Sequence, residues 1–333
     1  MKDRLKRALF SLGFLPWFHA ARNRRHLTVA MFHRVLSVQD ERWHAADPAY
    51  TVSVDLFEQC VLFFKKHYHV VTVDQVMRAH EQGGTLPSRA LLITIDDGWA
   101  DTEQYAAPIL SRHGLPAVVF VAAATVDSQE LFWEEALVAA SRTGSLTEHQ
   151  LCELAQAAGV HVTNPPIADL IARLKSKPDA RRIASAILGT LQSHPQPMMS
   201  TAQLQHLGGD GIAIGGHGAS HTPLTVAPAP AEELAESRRM LGALTEKGCA
   251  CAPVMSFPHG ARNPQVVRMA FESGFKLLFT SDPYLNVLSN GRPASGILGR
   301  IEIPAGAIQD RSGRWRRDLL ALWLFTRPAR ASD

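Results

Sequence analysis

The chain has 333 residues, 46% of them hydrophobic and 20% charged, with a formal net charge of +3. That is the composition of an ordinary globular protein, long enough for one large α/β domain or two smaller ones. The small charge excludes bulk nucleic-acid binding, which needs a strongly basic face. No stretch is long and apolar enough to span a bilayer, and the four cysteines (Cys60, Cys152, Cys249 and Cys251) fit neither a zinc motif nor a disulfide framework.

Residues 1–26 form a basic, aromatic segment. Lys2-Asp3-Arg4-Leu5-Lys6-Arg7 leads into Ala8 to Phe18, the order a signal peptide would have. A small-x-small cleavage site is missing, however, and Arg22-Asn23-Arg24-Arg25 follows, so an interfacial helix or docking segment is expected instead. Leu27 to Phe32 reads as a first strand ending at His33-Arg34. Ser53 is an expected N-cap for a helix carrying Leu56, Phe57, Cys60, Val61 and Phe64. Val70 to Val73 reads as a short second strand, with Asp74 capping the next helix. Leu91-Leu92-Ile93-Thr94-Ile95 is a buried strand running into Asp96-Asp97-Gly98-Trp99. A helix over 102–113 and a strand over Ala117 to Val121 continue the rhythm, which implies parallel pairing with crossover helices.

From about residue 127 to 197 the β signal disappears and the pattern becomes helical, which reads as an insertion beside the barrel mouth, closed by Pro195 and Pro197. Phe132-Trp133-Glu134-Glu135 at its start is either a substrate contact or, preferred here, a buried aromatic anchor. Ser200 resembles an N-cap for Ala202 to Leu207. Strands resume at 211–216, 253–257, 276–280 and 296–298, with helices over 231–247 and 264–273 between them. The expected fold is α/β: a single distorted (β/α) barrel of about seven strands over residues 27–305 with a helical insertion, followed by a C-terminal helix and tail over 306–333.

Three strand ends carry unusual polar residues: Asp96-Asp97, His217 with His221, and His259. Asp is rarely buried unless paired or bound to metal, and a parallel barrel builds its site at these ends. Two imidazoles and a carboxylate make a hydrolytic metal triad with a position left open for water. The i, i+4 spacing of His217 and His221 predicts a short helical turn with both rings on one side.

Thr94-Ile95-Asp96-Asp97-Gly98, His217-Gly218-Ala219-Ser220-His221 and Phe257-Pro258-His259-Gly260 resemble motifs one to three of the polysaccharide deacetylases, the NodB-type or family 4 carbohydrate esterases. Met31-Phe32-His33-Arg34-Val35 resembles the Tyr-His-Arg-Val opening of many bacterial members. The resemblance implies a divalent ion, usually Zn2+, held by Asp97, His217 and His221, with Asp96 as general base. It also implies removal of N-acetyl groups from the amino sugars of a glycan or a lipid-linked sugar. Trp99, Phe257, Pro258 and His33 are the expected substrate contacts.

The match departs from the family in three places. Motif three lacks its usual Arg, reading Val254-Met255-Ser256-Phe257. The late Leu-x-His motif reads Leu298-Gly299-Arg300, and an arginine does not donate its proton, so Arg300 is expected to steady the base or the oxyanion. His259, then His33, are the candidates for general acid. Gly218 replaces the usual hydroxyl residue. Two other readings follow: a carbohydrate-binding pseudoenzyme that keeps the metal, or an O-acetyl esterase. The basic, aromatic termini suggest a cytoplasmic protein in peripheral contact with the membrane.

Overall fold

In a computed structural model, which describes residues 2–160, 166–177, 179–188 and 197–331, the apolar runs become neighbouring strands of one curled sheet. In chain order the strands are β1 (His26–Phe32), β2 (Arg34–Leu36), β3 (Thr51–Ser53), β4 (His69–Val70), β5 (Ala90–Ile95), β6 (Ala117–Val121) and β7 (Ile212–Gly216). They continue as β8 (Cys251–Ser256), β9 (Leu277–Phe279), β10 (Leu285–Ser289), β11 (Arg292–Pro293), β12 (Ile297–Leu298), β13 (Ile301–Glu302) and β14 (Ala329–Arg330). The main path is β11-β10-β1-β5-β6-β7-β8-β9-β12, and every pair from β1 to β12 is parallel. The barrel is therefore distorted as expected, with an antiparallel hairpin, β10–β11, added at one end.

Two observations show how far the sheet curls. The rings of Phe120 on β6 and Phe279 on β9, three strands apart along the path, approach to 5.1 Å. Further on, β12 pairs with β9 at one end of the sheet, and β13 then pairs with β1 near the other. Gly299 and Arg300 make that crossing. Asn286 pins it, donating to the carbonyls of Leu27 and Gly299 and accepting from the Gly299 N–H. A Cβ at Gly299 would lie 2.5 Å from the Tyr284 ring, so the seam has room for glycine alone.

The helices are α1 (Lys2–Ser11), α2 (Phe14–Arg22), α3 (Val54–His67), α4 (Val73–Glu81), α5 (Ala107–His113), α6 (Trp133–Arg142), α7 (Glu148–Ala158), α8 (Ile167–Leu174), α9 (Ala180–Leu188), α10 (Thr201–Gly209), α11 (Pro230–Glu246), α12 (Pro264–Glu272), α13 (Ala305–Ile308) and α14 (Arg317–Phe325). Side chains on successive strand positions alternate between two cores, as the pleat requires. Phe32, Ile93 and Val119 pack with α3, α5, α11 and α14, whereas Val29, Leu92, Val118 and Phe120 pack within the curl alongside α4. Helices α6 to α9 bury a small core of their own around Leu137, Leu154, Leu170 and Leu174. Pro195, expected to help close this region, lies outside the described residues.

Several local expectations need correction. The second strand stops at Val70, because Thr72 and Gln75 close a reciprocal capping box that starts α4 at Val73. Asp74 lies inside the first turn rather than capping it. Hairpin β10–β11 went unread, although Asn290 and Gly291 both take positive φ between its strands, the turn that Asn-Gly favours. The N-terminal segment forms α1 and α2 and packs on the body: His19 on α2 stacks on Phe325 of α14, with ring centroids 4.0 Å apart. Helix α14 buries Leu320, Ala321, Leu324 and Phe325 completely.

Candidate active site

Register brings the polar strand ends together. Ile95 is the last residue of β5, and Asp96 and Asp97 leave the sheet there with Asp97 at φ 79°. β7 ends at Gly216, and the His217 N–H donates to the Val121 carbonyl at 2.9 Å, holding the next turn against β6. No helix forms over 217–221, contrary to the expected helical turn. The loop is shaped by Glu233 of α11, whose carboxylate accepts from the N–H groups of Ala219 and Ser220 and from the Ser220 hydroxyl. Gly218 at φ 69° and His221 at φ 62° turn the chain back on itself. A side chain at Gly218 would meet Pro258 at 3.1 Å, which explains glycine there in place of a hydroxyl residue.

The loop delivers both imidazoles to one carboxylate oxygen: Nε2 of His217 and Nε2 of His221 each lie 3.3 Å from Asp97 Oδ1. His217 Nδ1 sits 2.9 Å from the Ser256 carbonyl, which can only accept. Nδ1 therefore carries a proton, and Nε2, which faces Asp97, is the nitrogen that would turn its lone pair to a bound ion. Trp99 Nε1–H donates to the other Asp97 oxygen at 3.0 Å, and the Arg34 guanidinium lies 4.2 Å from the Trp99 ring centroid. Three converging, largely buried N, N and O donors suit a divalent ion that accepts imidazole and carboxylate. Burial alone would raise the Asp97 carboxyl, but its hydrogen bonds to His217 and His221 outweigh it and hold it well below the usual range. His221 is pushed down to about 4, first by burial and then by the neighbouring His259.

Asp96 has a different set of partners. Arg300 donates to both of its oxygens, at 2.6 and 2.7 Å, and Ser256 Oγ donates at 3.2 Å. The same guanidinium is fixed by the Thr280 carbonyl at 3.0 Å and by Ser256 Oγ at 2.7 Å. Burial opposes ionisation of Asp96, and the Arg300 charge overcomes it, leaving the carboxyl below its ordinary value. The arginine that engages this carboxylate comes from the late Leu-Gly-Arg segment. Ser256 and Thr280, at or just beyond strand ends, were not picked out from the sequence, because a lone hydroxyl on a strand carries no spacing signal.

These groups line a pocket of about 420 Å³. His33, Trp99, Phe257 and His259 face it, whereas Pro258 is buried beside Gly218 off the wall. His33 meets the Tyr50 ring edge-on, with centroids 4.8 Å apart, and its Nδ1 is 4.0 Å from Glu302. The insertion contributes more than an aromatic anchor. Phe132 packs edge-on to Trp99 and 4.1 Å from the His221 ring, while Glu134 and Glu135 enter the pocket. Glu134 Oε1 is 2.9 Å from His259 Nε2, without the geometry of a hydrogen bond. His259 is pushed down to about 3, by burial and then by Lys175, and burial raises Glu135 to about 7 against the pull of Arg34. Six carboxylates face the pocket against one lysine, Lys175, among the described residues.

Comparison with known proteins bears on family and fold. The family model for polysaccharide deacetylase matches residues 83–278. No curated protein sequence matches the chain. Among solved structures, a Streptococcus pyogenes deacetylase, PplD, in complex with acetate is similar over 90% of this chain and 98% of its own, with a TM-score of 0.57 and 15% identity. IcaB from Ammonifex degensii is similar over 91% and 98%, with a TM-score of 0.55 and 18% identity. A de-N-acetylase from Aggregatibacter actinomycetemcomitans is similar over 83% and 94%, with a TM-score of 0.55 and 17% identity. At such identities the likeness establishes the fold.

Proposed function

Because the chain belongs to the polysaccharide deacetylase family, whose members hydrolyse acyl bonds on sugars, we propose that it removes N-acetyl groups from the amino sugars of a glycan or glycoconjugate. The observation that carries this reading is the division between adjacent aspartates. Asp97 faces two imidazoles, and Asp96 faces a guanidinium.

Asp97, His217 and His221 would hold a divalent ion, with zinc the best fit to one carboxylate and two imidazoles. Bound there, the ion would lower the pKa of a water and polarise the acyl oxygen. Asp96 is the proton acceptor. Its two Arg300 bonds keep it ionised throughout the neutral range and fix its oxygens in direction. Trp99 holds the Asp97 carboxylate in one orientation by donating to the oxygen that faces away from the histidines. Water leaves the pocket as the substrate meets Phe132, Tyr50 and Trp99, which strengthens every charge interaction inside it.

The proton for the leaving nitrogen is assigned to His33. It lines the pocket beside Glu302, whose carboxylate would stabilise an imidazolium, and it is free of the metal-site loop. His259 is buried against His221 and Glu134, where burial opposes a charged ring. Removal of an N-acetyl group leaves an amine that protonates, and the acidic pocket wall favours that ammonium. An O-acetyl ester would leave a neutral alcohol, which gains less from an acidic wall.

Acetate release separates the readings. The zinc-loaded chain should release acetate from N-acetylglucosamine oligomers or lipid-linked N-acetyl sugars, and far less from O-acetylated glycans. Asp96→Asn should abolish turnover without removing the metal, and His33→Ala should depress it more than His259→Ala. Metal-loaded protein that binds these glycans but never turns them over would identify a pseudoenzyme. Preferential cleavage of the esters would identify an O-acetyl esterase.

A further inference from the structure

The N-terminal helices hold the body with one face and leave a second apolar face open. On the inner side, Phe10 packs against the rings of Phe63 and His67, Leu15 is buried, and His19 lies flat on Phe325. Arg22 and Asn23 then tie the end of α2 to the carbonyls of Phe325 and Arg327. On the outer side, Leu5 on α1 and Leu12 in the turn just after it are 61% and 84% exposed. Phe14 and Trp17, one turn apart on α2, are 55% and 65% exposed, with their rings 5.9 Å apart. Of eight large apolar side chains exposed among the described residues, these four fall within one short stretch of chain. Such a cluster marks an interaction surface.

The charge around it is basic. Arg4 and Arg7 are exposed on α1, and Arg24 and Arg25 are exposed just after α2. The segment before α14 reaches the same place: the Arg317 guanidinium sits 5.4 Å from the Phe10 ring, and Arg7 lies 3.9 Å from Asp310. Of the nearby carboxylates, Asp318 is already engaged bidentately by Arg316, and Asp310 accepts from Ser312 and the Arg314 N–H.

We propose that the outer face of α1 and α2 docks on the interfacial layer of an anionic lipid bilayer. Leucine and aromatic side chains enter the acyl boundary, and tryptophan settles at headgroup depth. The surrounding arginines find lipid phosphates. Charge argues against a second copy of the chain as the occupant, since a two-fold contact would set Arg4 and Arg7 against their own equivalents. The surface is separate from the pocket and does not depend on the proposed reaction.

The test is co-sedimentation of the full chain with phosphatidylcholine vesicles, with and without phosphatidylglycerol. The chain should sediment with the anionic vesicles only, and added salt should weaken the association. Replacing Leu12, Phe14 and Trp17 together by Ser, or Arg4 and Arg7 together by Glu, should weaken it by about tenfold or more. Both sets of positions are exposed, so an unchanged melting temperature and an unchanged circular-dichroism spectrum should certify the fold. Failure of the parent chain to bind, or equal binding by the triple variant, overturns the proposal. So does a parent dimer that the triple substitution converts to a monomer without any vesicle binding.

Discussion

Replacing Arg300 with Met is the most informative single change. It leaves an apolar side chain of similar length and removes two donors from Asp96, one from Ser256 and one from the Thr280 carbonyl, together with the guanidinium 5.5 Å from the Phe120 ring. Breaking a buried ion pair from one side typically costs about 3–5 kcal/mol, because the surviving charge is stranded. At roughly 2 °C per kcal/mol for a chain of this size, the melting temperature should fall by about 6–10 °C at pH 8. The pH dependence follows from the direction of the shift. In the parent, Asp96 titrates below its unfolded value, so its stabilising contribution is complete above about pH 4 and is lost as pH falls further. In the variant the largest opposing influence is gone, leaving burial against the weaker pull of His217, His33 and the Ser256 hydroxyl, and Asp96 is expected to titrate above its unfolded value. Its contribution is then lost as pH rises through that raised value, so the stability gap should widen from pH 5 to pH 8. Acetate release should show the same shift, its acidic limb moving to higher pH as the base becomes protonated. Thermal unfolding and a pH–rate profile measure both. A gap below about 1 kcal/mol, or one that stays constant across that pH range, would refute the assignment of Arg300 as the group that keeps Asp96 ionised.

Two further outcomes are expected. Trp99→Phe keeps the ring against Phe132 but removes the donor to Asp97 Oδ2. Metal affinity should fall by about 10–100-fold in a competition titration with a chelator, and an unchanged affinity would leave Trp99 with packing alone. Glu135 titrates near 7 in the fold, raised by burial, so its stabilising contribution is present while it is protonated and lost as pH rises through that value. Glu135→Gln should therefore gain stability relative to the parent on going from pH 5 to pH 8, by about 1–3 kcal/mol in denaturant unfolding. Parallel stability curves would show that Arg34 already compensates the charge.

Much of the barrel was legible because its parallel strands are buried on both faces and read as unbroken apolar runs, as Leu91 to Ile95 does. The convergence of the strand-end carboxylates and imidazoles followed from that rhythm, since parallel strands place their C-terminal ends together. What escaped was set by contacts distant in sequence. The Val70-Val71-Thr72-Val73 run looked extended on propensity, yet one hydroxyl and one amide turned its second half into a helix start. The spacing of His217 and His221 suggested a helical turn. Gly218 and His221 instead take positive φ, which a right-handed turn does not contain, and Glu233, twelve residues beyond His221, fastens the loop by its backbone N–H groups. Glu134 and Glu135 read as the start of an amphipathic helix, and only the packing of the insertion against Trp99 turns them toward the pocket. The Asn290-Gly291 turn was a local signal that went unread.

The seam at Gly299 and Arg300 also bears on the order in which the site can come into being. Asp96 and its guanidinium partner are 204 positions apart in the chain, and the partner arrives on the crossing that joins β9 to β1. Strands β1, β5 and β6 leave a synthesising machine well before that crossing, and contacts of such long range form late because loop closure must be met first. Until then a charged Asp96 has no counterion, and it must stay in water or hold its proton. Asp96 becomes both buried and ionised only when the two ends of the sheet meet, so the proposed activity would mark a chain that has finished folding.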